Sequence, residues 1–261
     1  MNVRAPAKVN LCLRLGPLRS DGYHRVTTLV QAIDVYDDLE LEPADETVVE
    51  GFPDDTLVAG ALAALGEARR VRLEKRIPVA SGLGGGSSDA AAVLRALRGE
   101  RTPNELHEIA RGLGTDVPFF LTGAETGFCT GRGDRVQALP EFPRGHAFVV
   151  VPAAEGLSTA DVYAASTPNP AFRAVEGELI RRMHTVRRTA DVAGLMANDL
   201  EPAALRLRPE VVETLAALRD AGALAAQVSG SGPTAFGLFE HRAAAEEAAP
   251  RIEGAVAASP V

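Results

Sequence analysis

Residues 78–89 read Pro78-Val79-Ala80-Ser81-Gly82-Leu83-Gly84-Gly85-Gly86-Ser87-Ser88-Asp89. The stretch lies between a strand-like run that ends near Ile77 and a stripe of apolar residues at helical spacing over 90–97. Glycines allow a backbone to approach a ligand closely and to turn its N–H groups towards it. The start of the following helix adds the positive end of its dipole. This order of elements favours a phosphate-binding loop over Pro78–Ser88, with Ser87 or Ser88 as the expected helix cap.

The loop fits neither of the two common nucleotide-binding motifs. No Gly-Lys-Ser/Thr follows the glycines, as a Walker loop requires, and no acidic partner for a ribose follows a later strand. A flexible Gly-Ser turn with a serine cap is the structural alternative. The interpretation we favour is that the loop holds nucleotide phosphates on a different scaffold.

The N-terminal segment alternates with period two, which is typical of a half-buried strand. One parity carries Val9, Leu11, Leu13 and Leu15, and the other carries Lys8, Asn10, Cys12 and Arg14. Lys8 and Asn10 should therefore project from the same face. Only two of the 27 basic side chains are lysines, Lys8 and Lys75. Lys75 falls on the apolar parity of a second alternating run over 71–77, which is an unusual position for a lysine.

An acidic residue follows a predicted helix in the segment Gly114-Thr115-Asp116-Val117-Pro118-Phe119-Phe120. If a phosphoryl group is transferred, a side chain must position the acceptor hydroxyl, and Asp116 is the best candidate. Lys8 could pair with this carboxylate and offset the charge that develops. A surface aspartate in a turn and a solvated strand lysine are the structural alternatives for these two residues.

The remaining pattern mixes strands and helices in both halves and predicts a two-domain α+β protein, with domains at 1–145 and 146–261. Helices are expected near 159–166, 172–185, 209–221 and 242–252, and strands near 147–151, 225–228 and 234–239. Thr102-Pro103-Asn104-Glu105 predicts a capping box, and residues 131–134 predict a hairpin turn.

Composition excludes several classes of protein. The chain has 261 residues, of which 46% are hydrophobic, so it can bury a sizeable core. No run approaches the ~18 apolar residues of a membrane span, and the net charge of −8 argues against binding nucleic acid by bulk electrostatics. Two cysteines are too few for a disulfide framework, so a cytoplasmic location is expected. The sequence leaves both a monomer and a homodimer open.

Five blocks resemble the GHMP kinases, the superfamily of galactokinase and of the homoserine, mevalonate and phosphomevalonate kinases. They are Ala5–Leu11, Asp21–His24, the loop Gly82–Ala92, Gly114–Phe120 and Ser229–Pro233, and they run in family order along nearly the whole chain. The N-terminal blocks are most similar to the family of 4-diphosphocytidyl-2-C-methyl-D-erythritol kinases.

The resemblance implies a two-domain GHMP-kinase-like fold, with an N-terminal domain of the ribosomal protein S5 type and a ferredoxin-like C-terminal domain. It implies ATP and Mg²⁺ as cofactors and a cytidine-diphosphate-linked methylerythritol as the small-molecule substrate. Asp116 would be the catalytic base and Lys8 its partner, with ATP phosphates held over Pro78–Ser88.

The same resemblance implies further contacts in the cleft. Asn10 and His24 would contact the substrate, and Tyr23 would stack on cytosine. Tyr163 would form the second aromatic wall, with a core tyrosine as the alternative. Gly230, Ser231 and Gly232 would approach the phosphate loop from the second domain, in a tight turn between two strands.

Two other functions stay open. Another small-molecule kinase of the superfamily would share the loops but would not need Tyr23 and His24 for a cytosine. A nucleotide-binding sensor without turnover would keep the phosphate loop but would not need both Lys8 and Asp116.

Overall fold

A long hairpin of two N-terminal strands organises the first half of the protein in the computed structural model, which describes residues 1–52 and 56–261. The strands are β1 (Asn2–Leu18), β2 (His24–Pro43), β3 (Val48–Glu50), β4 (Arg69–Glu74), β5 (Thr126–Thr130), β6 (Arg135–Ala138), β7 (Ala147–Val151), β8 (Ala197–Asn198), β9 (Ala225–Val228), β10 (Ala235–Phe239) and β11 (Val256–Ala258). In the described chain, seven of them form one sheet in the order β3-β4-β2-β1-β8, with β5 on β2 and β6 on β5.

The interpretation of β1 as a half-buried strand is wrong. Its apolar face, which includes Val9 and Leu11, is buried as expected, but Lys8 and Asn10 on the other face are each only 3% exposed. Their cover consists of two glycine-containing loops, because Gly84 packs against the Lys8 side chain and Gly230 against Asn10. The placement of Lys8 and Asn10 on one face is confirmed, since their side chains are hydrogen-bonded.

Helices cover both sheets. They are α1 (Thr56–Leu65), α2 (Gly85–Ala96), α3 (Pro103–Leu113), α4 (Val117–Thr122), α5 (Thr159–Ala165), α6 (Phe172–Met183), α7 (Thr189–Ala193), α8 (Glu201–Leu207), α9 (Val211–Asp220) and α10 (Arg242–Ala248), with a 3-10 turn at Ala249–Arg251. None of the helices in the described ranges is both long and apolar enough to span a bilayer.

The start of α3 matches the predicted capping box. Glu105 N–H donates to Thr102 Oγ1 (3.3 Å), and Thr102 N–H donates to the Glu105 carboxylate (2.7 Å). The predicted serine cap of α2 is wrong, because the helix already begins at Gly85 and its N-cap is Gly84 in the left-handed conformation. Gly84 lies where a Cβ would meet Phe120 and Lys8, so tertiary packing places the helix start three or four residues earlier than the serines suggest.

The second half of the chain builds a four-stranded antiparallel sheet in the order β11-β7-β10-β9. The strands expected near 147–151, 225–228 and 234–239 are confirmed, and so are the helices near 159–166, 172–185 and 209–221. The expected helix over 242–252 ends at Ala248. The chain leaves the first sheet after β6 and enters the second sheet at β7, but β8 returns to the first sheet and pairs with β1. The domain boundary at 145/146 stays a prediction.

The halves are joined where the loop of Gly82 meets Ser229. Ser229 Oγ donates to the Gly82 carbonyl (2.9 Å) and accepts from Asn10 N–H (3.3 Å), so one buried hydroxyl links β1, the glycine loop and the second half. Gly82 has a φ of +82°, and a Cβ on it would overlap the Ser229 carbonyl.

A buried histidine also joins the two sheets. His146, which precedes β7 and is 2% exposed, has its Nε2 2.8 Å from Gln31 Oε1 on β2. Its Nδ1 has no hydrogen-bond partner among the described residues. Burial lowers the pKa of His146 from 6.5 to about 4, so the folded protein keeps this ring neutral.

We expect Gly82→Ala to destabilise the protein more than a backbone penalty alone would. Gly254→Ala is the matched control, because Gly254 has a φ of +70° and its Cβ would meet no described atom within 4 Å. The control should lose about 1–2 kcal/mol of unfolding free energy in urea through strain. Gly82→Ala should lose more, since the Ser229 contact must also break. Equal losses would contradict this account of the joint.

We expect His146 to make unfolding pH-dependent. Between pH 6.5 and about 4 the unfolded chain binds a proton that folded His146 does not, so the unfolding free energy falls as pH falls through this window. The slope should be about 1.4 kcal/mol per pH unit, and the contribution should be fully present above pH 6.5. Urea titrations of His146→Gln should lack this slope. The His184→Gln variant, which changes an exposed histidine, should retain the slope. Parallel plots of unfolding free energy against pH for wild type and both variants would contradict the assignment.

Candidate active site

A cleft of about 450 Å³ opens where β1, the glycine loop, the start of α4 and the loop after β9 meet. It brings together most of the residues that the sequence singled out: Lys8, Asn10, Pro78, Val79, Ala80, Ser81, Gly82, Gly84, Gly85, Gly86, Ser87, Asp116, Tyr163, Gly230 and Ser231. Leu83 and Ser88 belong to the core instead and are each 1% exposed. Tyr23, His24 and Gly232 do not line the cleft.

Lys8 lies at the centre of the polar side of this cleft. Its Nζ donates to Asn10 Oδ1 (2.5 Å) and lies 3.6 Å from Asp116 Oδ2. Asn10 is oriented in turn, because its Nδ2 donates to Thr28 Oγ1 (2.9 Å). The Lys8 side chain is 4% exposed and that of Asp116 is 34% exposed. The arrangement therefore presents one accessible carboxylate beside a cation that solvent does not reach.

Asp116 lies at the N-cap of α4, and the apolar side chains that follow it face the protein interior. Val117, Phe119 and Phe120, which follow it, are buried. The Asp116 side chain makes no capping hydrogen bond to α4, so its oxygens are not committed to the helix. A carboxylate held in this way can accept a proton from a hydroxyl in the cleft.

The glycine loop presents backbone to the cleft. A Cβ on Gly85 would lie 2.9 Å from Ile77 and 3.0 Å from Lys75 Nζ, so packing below the loop also requires glycine there. Because α2 begins within the loop, the unpaired N–H groups of its first turn lie beside Gly84, Gly86 and Ser87 on the cleft wall. This geometry suits an anion.

The cleft offers few protein ligands for a metal ion. The described residues contain no group of three or more His, Cys, Asp and Glu side chains that could hold one. Ser87 has its hydroxyl-bearing side chain at the cleft, whereas Ser88 is buried. The donor set is sparse and consists of oxygens. It fits Mg²⁺, which keeps several waters and binds through nucleotide phosphates with only one or two protein ligands.

Gly230 brings the second half of the chain onto the same polar groups. It has a φ of +58°, and a Cβ there would lie 2.9 Å from Asn10 Oδ1 and 3.3 Å from Lys8 Nζ. Asn198 Nδ2 donates to Gly230 O (2.8 Å) and fixes the loop. A side chain at position 230 would therefore displace the Lys8–Asn10 pair.

The aromatic residues lie at the cleft and beside it. The His24 and Tyr163 rings are 6.0 Å apart between centroids, and His24 Nδ1 is 3.0 Å from Gly16 O. Burial raises the pKa of the Tyr163 hydroxyl, so the ring is neutral. Tyr23 is 50% exposed and has the Arg132 guanidinium 4.8 Å from its ring centroid.

Lys75 forms a buried ionic cluster behind the glycine loop. Its Nζ donates to Asp37 Oδ2 (2.5 Å) and to Asp89 Oδ2 (2.7 Å), and both carboxylates are fully buried. Burial alone would lower the pKa of Lys75, but the charges and hydrogen bonds of Asp89 and Asp37 outweigh it and raise that pKa. The sequence placed Lys75 on the apolar face of a strand, but β4 ends at Glu74. Lys75 therefore follows the strand, and its side chain reaches Asp89 on α2.

Several residues at the cleft were missed by sequence reasoning or given no role. Thr28, Thr115 and Gly133 line it beside Asn10 and Asp116, and Arg132 lines it from the turn between β5 and β6. The hairpin signal over 131–134 was present in the sequence. Nothing local indicates that this turn lies against Asp116.

Comparisons with known proteins agree with this geometry. The family model for the GHMP kinases N terminal domain matches residues 56–124, and that for GHMP kinases C terminal matches residues 177–257. A protein of Pelotomaculum thermopropionicum named 4-diphosphocytidyl-2-C-methyl-D-erythritol kinase is 41% identical over 95% of this chain and 92% of its own length. A protein of the same name from Salinispora arenicola is 42% identical over 95% of this chain and 86% of its own length.

Solved structures extend the likeness to the fold. A crystal structure of 4-(cytidine 5'-diphospho)-2C-methyl-D-erythritol kinase matches with a TM-score of 0.77 and 35% identity, covering 99% of this chain and 98% of that one. A homoserine kinase from Cytophaga hutchinsonii matches with a TM-score of 0.70 at 20% identity, covering 100% of this chain and 95% of that one, which shows the fold alone. The α+β, two-domain fold is thus that of the GHMP kinases, and the chain belongs to their 4-diphosphocytidyl-2-C-methyl-D-erythritol kinase family.

Proposed function

We propose that the protein is an ATP-dependent kinase that phosphorylates the 2-hydroxyl of 4-diphosphocytidyl-2-C-methyl-D-erythritol, in the non-mevalonate route to isoprenoid precursors. The observation that carries the proposal is the Lys8–Asp116 pair, with 3.6 Å between Nζ and Oδ2, on the same cleft as the glycine loop. An anion site and a carboxylate able to take a hydroxyl proton are what phosphoryl transfer requires. The names of relatives at about 40% identity support this acceptor.

Asp116 acts in this proposal as the base that accepts the acceptor's hydroxyl proton during direct in-line transfer. Lys8 fixes the carboxylate by charge and offsets the negative charge that develops beside it. Because Lys8 is also bound to Asn10, the ammonium cannot move away from Asp116 without breaking a buried hydrogen bond. Both groups are therefore held in place before substrate arrives.

The loop Pro78–Ser88 holds the phosphates of ATP through backbone N–H groups at the start of α2. Ser87, which lines the cleft, is the serine we assign to Mg²⁺. When bound, Mg²⁺ would neutralise charge on the phosphate oxygens. Gly230 and Ser231 close the cleft from the second half of the chain, and Gly232 follows them in the same turn without lining the cleft. Ser231 lies on its wall, with its hydroxyl 3.0 Å from Thr159 Oγ1.

The acceptor's cytidine binds in this proposal beyond Asp116. Tyr23 stacks on the base, Tyr163 forms the second wall, and Asn10 and His24 contact the substrate. The His24–Tyr163 ring contact supports a shared pocket, and the exposed ring of Tyr23 supports its availability for stacking. Both cysteines are free and buried, which fits the proposed cytoplasmic location. The oligomeric state, monomer or homodimer, stays a prediction.

The rival acceptors are homoserine and mevalonate. The matching homoserine, mevalonate and phosphomevalonate kinase structures are 12–20% identical to this chain and support the fold only. A sensor without turnover is disfavoured, because Lys8 and Asp116 are both present and paired.

An ADP-release assay with Mg·ATP tests the proposal directly. The acceptors are the cytidine-diphosphate-linked methylerythritol, free methylerythritol phosphate, homoserine and mevalonate. We expect turnover with the first alone. Turnover with homoserine or mevalonate would retain a kinase but discard the cytidine pocket. ATP binding without turnover of any acceptor would favour the sensor.

We expect Asp116→Asn to lower kcat by about a hundredfold to ten-thousandfold, because the amide cannot accept the hydroxyl proton. The ATP dissociation constant should stay within about twofold, since Asp116 is not part of the glycine loop. Asp220→Asn, on an exposed carboxylate at the end of α9, is the control and should keep wild-type kcat. Normal turnover by Asp116→Asn would remove this residue from the base role.

A further inference from the structure

Arg132 is a cleft residue with no role in the function proposed above. It lies in the turn between β5 and β6, and its guanidinium is only partly exposed. Its Nε and Nη2 donate to Asp134 Oδ2 (3.3 and 3.2 Å), and its backbone N–H donates to Asp134 Oδ1 (3.1 Å). Asp134 is 2% exposed. A buried carboxylate thus fixes both the backbone and the side chain of Arg132.

The charge around Arg132 is not balanced. Asp134 Oδ2 also accepts from Arg111 Nε (3.0 Å), so two guanidinium groups share one buried carboxylate. The further anion on Arg111 is Glu108, whose side chain is 73% exposed and therefore screened by solvent. Burial would raise the pKa of Asp134, but the hydrogen bonds from both arginines outweigh it and lower that pKa. The carboxylate stays ionised, and among the described residues the second positive charge is offset only by the solvent-screened Glu108.

The other basic side chains on the described part of the cleft are matched by acids. Lys8 faces Asp116, and Lys75 faces both Asp37 and Asp89. Among the described residues of the cleft wall, Arg132 therefore contributes the excess positive charge. Such a charge attracts an anionic part of a ligand.

The position of Arg132 indicates which anionic part of the ligand it binds. On one side its guanidinium lies over the Tyr23 ring, 4.8 Å from the centroid. On the other side of Arg132, the neighbouring Gly133 lies close to Thr115, which is the residue before Asp116. In the proposed acceptor a diphosphate joins the cytidine to the sugar alcohol that carries the reacting hydroxyl. The order from Tyr23, which lies beside the cleft, to Arg132 and Asp116 on its wall thus parallels the order base, diphosphate, hydroxyl in the substrate.

We propose that Arg132 is a specificity-determining residue that binds the diphosphate of the acceptor and thereby selects acceptors that carry one. The assignment rests on the proposed function, because it presumes that the acceptor is a nucleoside diphosphate derivative. A planar guanidinium presents several N–H donors to phosphate oxygens, and Asp134 holds the group so that little side-chain freedom is lost on binding.

Titration calorimetry with CDP and with cytidine tests the assignment. The titrations are made with saturating non-hydrolysable ATP analogue and Mg²⁺, so that CDP cannot enter the nucleotide site. We expect wild type to bind CDP more tightly than cytidine. Arg132→Gln should weaken CDP binding by about tenfold to a hundredfold, the range for a lost charge-assisted contact, and leave cytidine binding within about threefold.

Arg111→Gln is the matched control, because it removes the other guanidinium on Asp134 but does not line the cleft. It should weaken CDP binding by less than Arg132→Gln does, because it removes a positive charge near the cleft but no donor group that lines it. In turnover assays Arg132→Gln should raise KM for the cytidyl acceptor and leave KM for ATP unchanged.

Three results would overturn the assignment of Arg132 while the proposed function stands. They are unchanged CDP affinity in Arg132→Gln, a raised KM for ATP in place of the acceptor effect, and an equal loss in both arginine variants. Wild type that binds neither CDP nor cytidine would overturn the proposed acceptor and this assignment with it.

Discussion

The buried ammonium of Lys8 is the constraint on which the geometry of the cleft depends. A cation that is 3% exposed is costly unless charged and polar groups surround it. The chain supplies Asn10 from the same strand and Asp116 from the start of α4. Gly84 and Gly230 complete the enclosure, because only residues without a Cβ can lie so close to the lysine. The requirement to pair one charge thus brings four distant segments together.

The glycines of the two loops are needed by packing as well as by a ligand. Gly82 and Ser229 meet backbone to backbone, and Ser229 Oγ bonds both Gly82 and Asn10. This joint holds the second half of the chain against β1 and leaves the cleft between them. The loop that faces the cleft is therefore part of the interface between the halves, and its shape depends on both.

Local signals in the sequence predicted much of the fold. The capping box at Thr102 and Glu105 and the hairpin over 131–134 follow from neighbouring residues, and both are found.

What sequence reasoning missed is long-range. The helix cap moved to Gly84 through contacts with Phe120 and Lys8, and the polar face of β1 is buried by loops about 75 and 220 residues away. Helix α1 and the short α4 were not predicted, and both pack against α2. Of the candidate site, Lys8 and Asn10 could be grouped by parity alone. The contacts of Lys75 and Arg132 could not, because their partners lie on other elements.

Two kinds of group attract anions in the cleft: backbone N–H groups at the start of α2, and the Arg132 guanidinium. Beside the glycine loop, Lys75 is outnumbered by Asp37 and Asp89, so attraction for an anion there comes from backbone N–H groups and the dipole of α2. Near Tyr23 it comes from Arg132. Neither backbone amides nor guanidinium groups lose their charge or dipole near neutral pH. The raised pKa of Lys75 keeps its cluster charged over the same range. The attraction that these groups supply is therefore constant across neutral pH, and a change of activity with pH in that range arises at other groups of the protein or in the ligands.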